Sequence, residues 1–94
     1  MAAALVLATV GAAPKALAAD SYTLACSGGE VKAVKGSAGW GYIRITVRNG
    51  CSSSQRVKVI VSNNLDTACL TYSPGQTREF VYSWPSDLDR IAYC

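Results

Sequence analysis

Histidine is missing from this 94-residue chain. Its absence removes the commonest general base at neutral pH, and with it the Ser-His and Cys-His ways of activating a nucleophile. Charge is sparse, at 16% of residues, with nine Lys and Arg against six Asp and Glu and no run of like sign. That excludes the basic footprint of a nucleic-acid binder. The longest apolar stretch, Ala2 to Ala13, falls short of the roughly 20 residues a membrane helix needs, so stable membrane insertion is not expected. Closely spaced cysteine pairs of the C-x2-C kind are also lacking. Without them and without His there is no zinc ligand set, and no cofactor is implied.

The apolar stretch leads instead into PKALAAD, where Ala16-Leu17-Ala18 is a small-x-small cleavage pattern. Residues 1–19 read as a secretory signal cut after Ala18 or Ala19, although its first residues carry only the Met1 amine and no Lys or Arg. The alternative is an Ala-rich tail. Residues 20–94 then form one domain, and removing Lys15 with the leader takes the formal charge from +3 to +2. A domain this small buries only about 60% of its unfolded surface and needs staples.

Four cysteines supply them: Cys26, Cys51, Cys69 and Cys94. An even count in an exported small domain argues for two disulfides, in any of three pairings. The sequential pairing would close two loops, each with 24 residues between the partners. Each closure would be worth about 3 kcal/mol on the chain-entropy model. A bond to Cys94, the last residue, would pin an end that otherwise frays.

After Ala19 no amphipathic helical period stands out. Short alternating runs are separated by turn residues, the signature of an all-β chain. WGYIRITVR (40–48) is the clearest run, with Ile43, Ile45 and Val47 on one face and Trp40, Tyr42, Arg44, Thr46 and Arg48 on the other. QRVKVIV (55–61) turns Val57, Val59 and Val61 inward and Arg56, Lys58 and Ile60 outward. Asn49-Gly50 between these runs is a turn signal that suggests a hairpin, which would gather their basic side chains on one face. TACLTY (67–72) ends at Ser73-Pro74-Gly75, a tight-turn tripeptide. TREFVYSW (77–84) alternates Phe80, Tyr82 and Trp84, expected in the core, against Glu79, Val81 and Ser83. The expectation is a six-stranded antiparallel β-sandwich of two sheets.

Enzymatic chemistry would have to come from six carboxylates: Asp20, Glu30, Asp66, Glu79, Asp87 and Asp89. Paired carboxylates hydrolyse glycosides, but Asp87 and Asp89 read as a solvated turn between Pro85 and Arg90, in a domain too small for a deep cleft. A non-enzymatic role is expected. The functional candidate is the stripe of Trp40, Tyr42, Arg44 and Arg48, because aromatics and Arg dominate interface hot spots.

Those residues sit in a recognisable context. The segment NGCSSSQRVKVIVSNNLDTACLTYSPGQT (49–77) combines an Asn-Gly-Cys turn, a Val-Lys-Val strand and a cysteine followed five residues later by Pro-Gly-Gln. It resembles the second half of the tendamistat-type microbial α-amylase inhibitors. The resemblance implies a two-sheet β-sandwich with sequential disulfides, secretion, and an α-amylase as partner. It also implies a Trp-Arg-Tyr triplet, on the turn between the first two strands, that enters the enzyme's acidic cleft: the guanidinium pairs with carboxylates and the rings fill sugar subsites. The matching residues here are Trp40, Gly41 and Tyr42, with glycine where the family has arginine and about two more residues before Cys51. Lys35 or Arg44 are the nearby cations. The expected function is that of an inhibitor-like protein binding a glycoside hydrolase through Trp40, Gly41, Tyr42 and Arg44, as a monomer. The alternative is a secreted module of the same fold that binds a carbohydrate or a cell-surface partner.

Overall fold

The computed structural model describes residues 20–94, so the expected leader lies outside the described residues. Seven strands follow one another: β1 (Ser21–Cys26), β2 (Gly29–Ser37), β3 (Tyr42–Asn49), β4 (Gln55–Ser62), β5 (Leu70–Tyr72), β6 (Thr77–Ser83) and β7 (Asp87–Tyr93). Among the described residues there is no helix. The strands form two antiparallel sheets, one ordered β1-β2-β3-β6 and the other β5-β4-β7. The expected sandwich is present with seven strands rather than six. TACLTY contributes only the three residues Leu70–Tyr72, because Thr67 and Asp66 turn their side chains to the backbone of β4.

Alternation decides which faces meet. Val31 and Ala33 of β2 and Ile45 and Val47 of β3 are buried against Val57, Val59 and Val61 of β4 and Leu88 and Ile91 of β7. Tyr72 and Cys51 close the same cluster, and Phe80 and Tyr82 pack on its edge. Each buried branched side chain is worth about 1.5–3 kcal/mol relative to exposure. β-Branched residues suit this pleated, one-sided burial, which is why the Val- and Ile-rich runs become strands. The disulfides Cys26–Cys51 and Cys69–Cys94 are sequential, as the family resemblance implies.

The Asn49-Gly50 signal does not make a hairpin. β3 and β4 lie in different sheets, so Arg56 and Lys58 do not share a face with the Trp40–Arg48 stripe. The reason is the side chain of Asn49, which is fully buried. Its Nδ2 donates to the carbonyls of Tyr72 and Ser53, and its Oδ1 accepts the Cys51 N–H. Its backbone N–H donates to the Gln76 carbonyl, and its own carbonyl accepts the Gly75 N–H. Asn49 thus turns the chain across the sandwich instead of back along the sheet. Ser73-Pro74-Gly75 does form the tight turn, with Gly75 at φ 80° and the Gln76 N–H donating to the Ser73 carbonyl.

Candidate functional site

At one end of the sandwich the β2–β3 turn meets the β6–β7 turn. The first runs from Ala38 to Gly41, closed by hydrogen bonds from Ala38 N–H to the Tyr42 carbonyl and from Tyr42 N–H to the Gly39 carbonyl. Gly39 and Gly41 sit at φ 114° and 80°, a region that glycine enters without steric cost. Trp40 lies between them at the apex, 98% exposed. It is a turn residue rather than the first residue of a strand, since pairing of β3 begins at Tyr42. The Gly41 carbonyl accepts the N–H of Trp84, which ties the two turns together.

Trp84 is the residue that sequence reasoning misplaced. It continues the Phe80, Tyr82 alternation and was expected in the core, yet it is 77% exposed. The ladder between β3 and β6 ends at Tyr42 opposite Ser83, so the period of two has no meaning one residue further on. Pro85 was the available signal, because the residue before proline belongs to an extended or turn dipeptide at a boundary. Tyr42, about half exposed, joins Trp40 and Trp84 at this end.

The β4–β5 loop is anchored beside them. Asn63 donates to the Pro85 carbonyl and Asn64 to the Ser86 hydroxyl, and the loop exposes Leu65.

Charge at this end is balanced locally. Lys35 of β2 donates to Asp87 Oδ1 of β7 at 2.8 Å and lies 3.8 Å from Asp20 Oδ1. The hydrogen bond to Asp87 raises the Lys35 pKa above its ordinary value; burial opposes the rise, and the charges of Asp87 and Asp20 add to it. Asp87 is therefore a strand residue that joins the two sheets, not part of a solvated turn, and Lys35 is held beneath the aromatic turn rather than offered at its apex. Arg44 lies on the outer face of the four-stranded sheet, paired with Glu79 at 3.5 Å. Arg48 is exposed on that same face, farther along β3 from the turn. The structure thus brings Trp40, Gly41, Tyr42 and Trp84 together and leaves Arg44 to the side.

A family model described as Alpha amylase inhibitor matches residues 25–94. The chain belongs to the alpha amylase inhibitor family. No curated protein and no solved structure matches it. The matched region contains all four cysteines of the two disulfides and the residues of the aromatic end, Trp40, Gly41, Tyr42 and Trp84.

Proposed function

We propose that this chain is an exported α-amylase inhibitor that docks on its enzyme through the aromatic end of the sandwich. The family match over residues 25–94 carries the reading. The geometry supports it: Trp40 stands at the apex of a turn that its two flanking glycines permit, and that turn is bonded to the β6–β7 turn. A rigid aromatic loses little entropy on binding, which is how a few residues dominate an interface. Two disulfides suit an oxidising compartment, and residues 1–19 would be the leader that delivers the chain there.

The mode of docking differs from that implied by the Trp-Arg-Tyr resemblance. Gly41 brings no guanidinium to pair with catalytic carboxylates, and Lys35 is already neutralised by Asp87. Stacking and apolar burial by Trp40, Tyr42 and Trp84 carry the contact, with Arg44 at its margin. Inhibition should therefore depend only weakly on salt, since screening acts on charges and not on buried apolar area. The experiment is an inhibition assay of the oxidised, leader-free protein against animal, fungal and bacterial α-amylases, with and without added salt. Dose-dependent inhibition that falls at least tenfold (about 1.4 kcal/mol) in Trp40→Ala is the expected outcome. No inhibition of any enzyme in the panel removes the reading.

A further inference from the structure

We propose that the mouth of the sandwich, beside the aromatic turn, is a binding site for a neutral oligosaccharide. This site does not depend on enzyme binding. At this end, where β2, the start of β3 and the β6–β7 turn meet, lies an open depression of about 460 Å³ whose walls include Asp20, Lys35, Tyr42, Trp84, Ser86 and Asp87. That volume is within the range of small-molecule sites, and the open end of a β-structure is a common place for one. Trp40 is not among its walls.

The polar groups select the ligand by charge. Lys35 stands between two carboxylates, Asp87 at 2.8 Å and Asp20 at 3.8 Å. A cationic ligand would meet the Lys35 ammonium, and an anionic one would meet both carboxylates. A neutral ligand that both donates and accepts meets neither conflict. Among the described residues, Asp87 Oδ1 accepts from Lys35 and from the Leu88 N–H, while Asp87 Oδ2 and both Asp20 oxygens accept no hydrogen bond. The Lys35 ammonium uses one of its three hydrogens on Asp87. Open acceptors and spare donors side by side are what vicinal hydroxyls satisfy, each donating a hydrogen bond to a carboxylate and accepting one from the ammonium.

The apolar part of the wall selects shape. Trp84 presents most of its indole and Tyr42 half of its surface to solvent, and the Trp84 backbone is held by its bond to the Gly41 carbonyl. Aromatic faces take flat apolar surfaces such as the C–H face of a pyranose ring. A purely apolar ligand would cover the tryptophan but leave the carboxylates desolvated and unpaired, at a cost. A sugar ring matches both halves of the wall at once.

The test is titration of the intact, oxidised protein with malto-, cello- and xylo-oligosaccharides, with glucuronic acid and glucosamine as charged comparisons. Tryptophan fluorescence and two-dimensional amide NMR provide the readouts. Saturable binding of a neutral oligosaccharide, with shifts at Gly36, Ser37 and Ser86, is expected. Trp84→Ala should lower that affinity at least tenfold, Trp84→Phe should restore part of it, and Trp40→Ala should leave it unchanged. Trp84 is exposed, so its variants are expected to fold, and the NMR spectrum checks this directly. No saturable response up to the solubility limit overturns the proposal. So does a response only to the charged sugars, or one that Trp84→Ala does not alter. Loss of enzyme inhibition in Trp40→Ala with sugar binding intact separates this site from the inhibitory contact.

Discussion

At the residue scale, Gly41 and Trp84 show how little a side-chain inventory says about a turn. The aromatic flanks of the triplet were visible in the sequence, and their exposure follows from the glycines beside them. Trp84 was not visible, since its meaning depends on where the β3–β6 ladder stops. Gly41 also has a backbone reason to be glycine. A Cβ there would meet no atom within 4 Å, so space is available, but φ is 80°. Gly41→Arg should therefore fold and lose about 1 kcal/mol of stability from the left-handed backbone alone, measurable as a lower midpoint in urea with an unchanged slope. Tyr72 makes the opposite case. It is fully buried, Arg78 stacks 5.1 Å from its ring centroid, and its hydroxyl has no hydrogen-bond partner. A buried hydroxyl without a partner costs stability rather than adding it. Tyr72→Phe should leave the thermal midpoint unchanged or raise it, and a clear drop would mean the hydroxyl is satisfied after all.

At the element scale, the strands were legible because one face of each is buried: Ile45 and Val47, then Val57, Val59 and Val61, alternate as a sheet surface requires. Pairing was less legible. Asn-Gly followed by a valine-rich run has the form of a hairpin, and sequence order alone favours neighbours. The competing signal was Cys51, two residues after Asn49, whose disulfide to Cys26 holds the crossing against the end of β1. Asn49 then serves three loops at once, bonding Cys51 and Ser53 after it, Tyr72 at the end of β5, and Gly75 and Gln76 before β6. Replacing it strands several buried groups together. Asn49→Ala should destabilise by about 3 kcal/mol or more, since each orphaned buried group costs roughly 1–3 kcal/mol. Asn49→Asp should lose at least as much at neutral pH, because it keeps the acceptor for the Cys51 N–H but sets a buried carboxylate oxygen against the Tyr72 and Ser53 carbonyls. Chemical denaturation of the oxidised variants distinguishes the two, and equal, small losses would show that the crossing is held by the disulfide alone.

At the scale of the whole molecule, two kinds of link, covalent and polar, hold the chain together and fail under different conditions. The disulfides close loops of 25 residues in sequence separation and act on the unfolded chain, so they are indifferent to pH until reduced. The polar links are not. Lys35 bridges β2 to Asp87 on β7, and the hydrogen bond to Asp87 raises its pKa above 10.5. Burial raises the Tyr72 pKa above 10.0, with the Arg78 charge opposing. In both cases the folded chain holds its proton more tightly than the unfolded chain does. Their contribution is therefore complete below about pH 10 and is lost as pH rises through the folded-state values. The thermal midpoint of the oxidised protein should be flat with respect to these two groups from pH 7 to about pH 9.5 and fall above it. In Lys35→Met the alkaline fall should be shallower and the neutral-pH midpoint lower, because the bridge is gone at every pH. In Tyr72→Phe the fall should also be shallower, but with no loss at neutral pH. An alkaline fall of unchanged steepness in the double variant would assign it to the remaining lysines and tyrosines instead.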